Sequence, residues 1–121
     1  MTILLVMLGG AIGALARFGI YEAQAKWLSL NFPYATLFVN IVGSFIIGAC
    51  SVWLMQRTHL ADELRLFIMV GVLGAFTTFS TFSLETIKLL QMQEYGVALS
   101  NIGLNIVLCL VAAWLGMMVI K

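Results

Sequence analysis

The chain has 121 residues, of which 63% are hydrophobic and 9% charged, and its mean hydropathy is +1.10. Soluble domains carry about 25% charged residues, so this composition excludes them and leaves a membrane protein. A net charge of +1 excludes an electrostatic footprint for nucleic acid.

Four apolar segments follow one another, each near the 20 residues or so that a helical span needs. The first covers residues 2–25. Ala14-Leu15-Ala16 looks like a cleavage site, but no positive region precedes it, since the first side-chain charge is Arg17. It therefore reads as a retained span. The second covers 33–55, with Pro33 suited to a first helical turn. The third covers 62–91, where Asp62 and Glu63 complement the helix N-terminus. The fourth covers 95–120. The reading is an all-α membrane protein: one four-helix transmembrane domain over 1–121, with no extramembrane domain left over.

The small pairs Gly9/Gly13, Gly10/Ala14, Ser44/Gly48 and Ala112/Gly116 predict close helix packing. Cys50 and Cys109 lie in apolar segments and read as small buried hydrophobes. The single His59 sits in a polar connection and reads as a solvated loop residue.

The third segment carries an unusual run, G-V-L-G-A-F-T-T-F-S-T-F-S, from Gly71 to Ser83. Hydroxyl and β-branched residues after glycines are poor material for a continuous helix. One reading is an interruption near 74–78 at mid-membrane, where freed carbonyls and amides serve ions. The other is a Thr/Ser-rich helix whose hydroxyls bond back to carbonyls.

The six Lys and Arg residues divide evenly. Arg57, Arg65 and Lys121 fall on the side of the N-terminus; Arg17, Lys26 and Lys88 fall on the other. Orientation follows Lys/Arg bias in short loops, so a chain without bias can insert both ways. Two opposite copies can then pair about an axis in the membrane plane.

Polar groups inside a membrane are costly and usually functional. At 1.5 Å per helical residue, Arg17 lies about 12 Å deep, Asn40 about 10 Å and Asn105 about 15 Å. Arg17 either lines an aqueous path or snorkels to the interface. Asn40, Asn101 and Asn105 serve either a path or interhelical hydrogen bonding. Amide and hydroxyl donors, with no buried acid in the first two helices, favour an anion over a cation as the permeant species.

Three stretches together resemble the Fluc (CrcB) family of fluoride channels: G-G-A-I-G-A-L-A-R-F from Gly9 to Phe18, T-L-F-V-N-I-V-G-S-F-I-I-G from Thr36 to Gly48, and the Gly71–Ser83 run. The resemblance covers nearly the whole chain. Ala75 departs from it, standing where a third glycine is frequent. The resemblance implies a multi-pass protein of the bacterial inner membrane that exports cytoplasmic fluoride passively. It implies an antiparallel, dual-topology homodimer with two pores. Phe79 and Phe82 would line the fluoride path, with Asn40 bonding the ion or orienting a ring. Ser80, Thr81 and Ser83 would form a polar track, and Arg17 would sit near a vestibule. Gly74 and Thr77 would offer backbone carbonyls to a structural sodium ion at the dimer interface. No enzymatic activity is implied.

Two other classes fit a short four-span chain. A small multidrug-resistance-type, proton-coupled cation antiporter needs a buried acid, and the first segment has none before Glu22. A non-transporting membrane assembly subunit is the other.

Overall fold

The structure is a computed structural model and describes residues 1–27, 32–57 and 61–120. His59 and Lys121 lie outside the described residues. In chain order the elements are α1 (Thr2–Trp27), α2 (Tyr34–Met55), α3 (Ala61–Leu64), a π-helical run (Arg65–Leu73), α4 (Gly74–Phe76), α5 (Ser80–Gln91) and α6 (Tyr95–Val119). Among the described residues, four stretches are long and apolar enough to cross a membrane: Thr2–Trp27, Tyr34–Met55, Asp62–Gln91 and Tyr95–Val119.

The helix ends have local causes. Pro33 precedes α2 as its cap residue and supplies no side-chain acceptor. Gln24 of α1 replaces it: its Oε1 accepts from the Ala35 N–H and its Nε2 donates to the Phe32 carbonyl at 3.4 Å. A donor at the α2 N-terminus that has no partner within its own helix is thereby satisfied from another helix. Asp62 and Glu63 occupy the first turn of α3. At the far end of α5, Gln93 adopts φ 61. The Gln93 and Glu94 N–H groups bond the Leu90 and Leu89 carbonyls at 3.0 and 2.9 Å. That crossed pair is the Schellman closure of a helix, with Gln standing where Gly is usual.

Packing divides the chain into two helix pairs. α1 lies along the π-helical run and α4, whereas α2 lies along α6. Without a hydrophobic drive between helices in lipid, close backbone approach supplies the attraction. A Cβ on Gly9 or Gly13 would collide with the Phe67 or Val72 carbonyl of the third span. A Cβ on Gly48 would collide with the Ala113 carbonyl, and one on Gly116 with the Phe45 carbonyl. The Gly10/Ala14 expectation is corrected: no described residue lies within 4 Å of a Cβ built on Gly10. The backbone of Gly10 approaches Gly71, but its side-chain position points away from the seam its neighbours make.

The third span changes partners along its length. Its first half packs on α1, and α5 packs on α6. Between the halves, Thr77 is extended (φ −86, ψ 161), and Thr77–Phe79 lie outside the helices. Gly74–Phe76 are helical, so the departure begins three residues later than the glycine-led reading expected.

Candidate groove beside Thr77 to Phe79

A groove of about 450 Å³ opens beside this segment, between α2, the third span and α6. Asn40, Gly74, Thr77, Phe79, Phe82 and Asn105 are among its walls. Five of the nine residues singled out from the sequence therefore meet in one place. Ser80, Thr81, Ser83 and Arg17 do not line it.

Asn40 fastens the non-helical segment. Its Oδ1 accepts from the Thr78 N–H at 2.9 Å, and its Nδ2 donates to the Thr78 carbonyl at 3.0 Å. One carboxamide thus replaces, on both sides of Thr78, the partners a helix would supply. Thr78 is buried, and its Oγ1 accepts from the Thr81 N–H at 3.1 Å, capping α5.

These two side-chain bonds release two carbonyls. A continuous helix would pair the Thr78 N–H with the Gly74 carbonyl and the Thr81 N–H with the Thr77 carbonyl. Both N–H groups are taken instead, by Asn40 and by Thr78 Oγ1. Gly74 is exposed toward the groove, with only the Met69 carbonyl near the place of its missing Cβ. Two carbonyls without their helical partners suit a hard monovalent cation. Among the described residues no group of three or more His, Cys, Asp or Glu could hold a metal.

The two rings differ in exposure. Phe79 is 78% exposed and Phe82 9%, and their centroids lie 5.5 Å apart with planes tilted by 50°. Tilted rings present edges, and the edge carries the positive end of the quadrupole. Ser83 Oγ donates to the Phe79 carbonyl at 2.9 Å, and Ser80 Oγ lies 3.4 Å from Thr78 Oγ1. Ser80 is exposed and Thr81 half-buried. Arg17 is half-buried on α1.

Sequence reasoning missed two sets of residues. Tyr21 of α1, Thr36 of α2 and Glu85 of α5 form a hydrogen-bonded chain. The Thr36 hydroxyl donates to Glu85 Oε1 at 2.5 Å, which leaves the Tyr21 hydroxyl as donor to Thr36 at 2.5 Å. Thr78 escapes sequence reasoning because one threonine among several in T-T-F-S-T carries no signal of its own. Asn101 and Asn105 have the visible spacing of one helical turn and bond each other, yet the partners at either end, Thr86 and Asn40, lie on other elements.

Comparison with known proteins places residues 4–117 in the family described as CrcB-like protein, Camphor Resistance (CrcB). A protein of Magnetococcus marinus is 48% identical over 119 residues, covering 98% of this chain and 97% of the relative. One of Aeromonas salmonicida is 48% identical over 120 residues, covering 98% and 95%. One of Methylococcus capsulatus is 48% identical over 116 residues, covering 96% of this chain and 51% of that longer relative. All three bear the name fluoride-specific ion channel FluC.

Proposed function

The chain belongs to the CrcB-like family, and on that premise we propose that it is a fluoride channel, not an enzyme, working as an antiparallel homodimer in the bacterial inner membrane. The observation that carries this reading is the groove holding Phe79 and Phe82 beside a segment whose Thr78 bonds Asn40 in place of helical partners. Fluoride is small and strongly hydrated, so losing its water requires fixed compensating dipoles. Ring edges supply positive potential without the full charge that would trap an anion. Conduction needs binding weak enough for release.

Each protomer contributes one half of the architecture. The groove is open, and Phe79 and Gly74 are exposed along it. A second, inverted copy would cover this face and create two equivalent paths. The interruption at Thr77–Phe79 would then lie at the two-fold axis, at mid-membrane. There the Gly74 and Thr77 carbonyls of both copies would hold a sodium ion, which supplies charge to fasten the two segments together. Ser80, Thr81 and Ser83 would continue the path as a polar track, and Arg17 would attract the anion toward its entrance. Fluoride that enters a cell as hydrogen fluoride and dissociates would leave by this passive route.

Purified protein in liposomes loaded with fluoride tests the reading with a fluoride electrode. Rapid fluoride efflux without proton coupling is expected. Proton-coupled cation uptake would identify an antiporter, and no flux would identify an assembly subunit; either outcome overturns the channel.

A further inference from the structure

Asn40 has no N–H left to offer an ion. A carboxamide has two N–H donors and one carbonyl acceptor. In Asn40 the donors go to the Thr78 carbonyl and to Asn105 Oδ1, both at 3.0 Å, and the acceptor takes the Thr78 N–H.

The bonds continue beyond Asn105 in one direction. Asn105 Nδ2 donates to the Asn101 carbonyl at 2.9 Å and to Asn101 Oδ1 at 3.0 Å. Asn101 Nδ2 donates to Thr86 Oγ1 at 3.0 Å, and Thr86 Oγ1 donates to the Phe82 carbonyl at 2.8 Å. The ladder therefore starts on the N–H of Thr78 and ends on the C=O of Phe82. Both ends fall on the short segment that carries Phe79 and Phe82. Asn101 is 0% exposed, and Thr86 and Asn105 are buried.

Backbone groups pin the direction of every rung. The Thr78 N–H can only donate and its carbonyl only accept, which sets the Asn40 amide. The Asn101 carbonyl can only accept, which sets Asn105. The Phe82 carbonyl can only accept, so the Thr86 hydroxyl points at it and must accept from Asn101. Dipoles aligned head to tail in a low-dielectric interior reinforce one another, and a broken rung leaves a buried group unpaired.

We infer that Asn105, Asn101 and Thr86 are positioning residues for fluoride permeation. They hold Asn40 on Thr78, and through both ends of the ladder they fix the angle at which Phe79 and Phe82 meet the groove. Asn40 acts on the ion through the rings and not by donating to it. Asn101 and Thr86 do not line the groove, so their effect on flux is indirect. The inference rests on the fluoride-channel reading for the meaning of the path, but the ladder itself has an independent readout.

The experiment uses the full chain, reconstituted or in detergent, with its asparagines labelled with ¹⁵N and assigned by single substitution. Sodium fluoride is titrated against the Asn40 side-chain signals. Both Asn40 protons should exchange slowly with solvent and stay unmoved by fluoride. Thr86→Val keeps the side-chain volume and removes the hydroxyl. It should displace the Asn40 signals and lower fluoride efflux by at least about tenfold, and Thr86→Ser should restore both. Asn105→Leu should release one Asn40 proton to fast exchange and lower efflux likewise. A fluoride-dependent shift or a proton–fluorine coupling on the Asn40 amide of the unmodified chain overturns the inference. So does efflux near the unmodified rate in dimeric Thr86→Val or Asn105→Leu, whether or not the Asn40 signals move. If both variants fail to dimerise, the titration of the unmodified chain decides alone. An unmodified chain that passes no fluoride refutes the channel reading while the amide exchange still reports on the ladder.

Discussion

Phe79 and Phe82 lie with ring centroids 5.5 Å apart, yet one is largely uncovered in the protomer and the other is buried. The pair therefore separates packing from electrostatics. Phe79→Ile should leave protomer stability nearly unchanged, because little packing is lost. Phe82→Ile should cost about 1 kcal/mol, since volume is roughly kept in a packed site. If ring edges face the ion, losing about 3 kcal/mol at the barrier slows flux about a hundredfold. Both variants should form dimers on size exclusion, and at least one should lose fluoride efflux from liposomes. Near-unmodified efflux in both would remove the rings from the mechanism.

Asn40→Asp hardly changes volume but replaces both donors. The Thr78 carbonyl and Asn105 Oδ1 would then each face an oxygen. The Thr78 N–H keeps its acceptor, so only one side of the clamp survives. An unpaired buried polar group costs about 1–3 kcal/mol. The expected result is a folded dimer with fluoride efflux below a tenth of the unmodified rate. Efflux unchanged in a verified dimer would show that the clamp on Thr78 is dispensable.

Much of this architecture is legible in the sequence. Run lengths mark four spans, Asp62 and Glu63 mark the start of the third, and the Gly71–Ser83 run marks the segment beside the groove. What stayed hidden is long-range pairing. Asn40 lies on α2, Asn105 on α6 and Thr78 in the non-helical part of the third span, and no local pattern says that an amide on one will bracket the backbone of another. Gly10 shows the same limit from the other side. Its spacing to Ala14 matches that of Gly9 to Gly13, yet only the latter pair faces a neighbour. Helical phase relative to a partner decides this, and phase is set by the fold.

The two glycine seams make a direct test of that phase. Gly13→Val or Gly48→Val must push apart backbones that now touch, through the Val72 and Ala113 carbonyls. Over-packing of this kind costs about 1–3 kcal/mol or more. Gly10→Ala and Gly103→Ala meet nothing within 4 Å. Thermal unfolding in detergent should show a clear loss for the first two and little change for the second two. Equal effects in all four would mean that the seams are placed wrongly.

Orientation follows from the three-to-three charge division. A C-terminal reporter should appear on both membrane faces in comparable amounts. Two or three Lys residues added between Gln56 and Ala61 should bring that face to the cytoplasm. The biased chain should lose efflux alone and regain it with an oppositely biased copy. A reporter confined to one face in the unmodified chain would sink the antiparallel dimer.

Sodium dependence tests the two released carbonyls. Exchanging sodium for N-methylglucamine should lower the unfolding temperature of the dimer and raise its dissociation. A ligand at a hundredfold excess over its Kd contributes about 2.7 kcal/mol to the bound form. Gly74→Ala should retain the effect, because the added methyl meets only the Met69 carbonyl at an ordinary 3.6 Å. Identical melting in both cations would exclude a stabilising sodium.

The pairing of α2 with α6 has a consequence for biogenesis. The second span meets its glycine-matched partner only after every residue to Val119 has been made. At 5–20 residues per second, the ribosome needs about 3–13 s to travel from the end of α2 to that point. During this interval the Gly48 seam of α2 has no α6 to meet, whereas α1 gains its partner once the third span is complete at Gln91. A chain stalled before α6 would therefore display an unmatched small-residue face, a feature by which a membrane protease could distinguish the unfinished protein from the finished one.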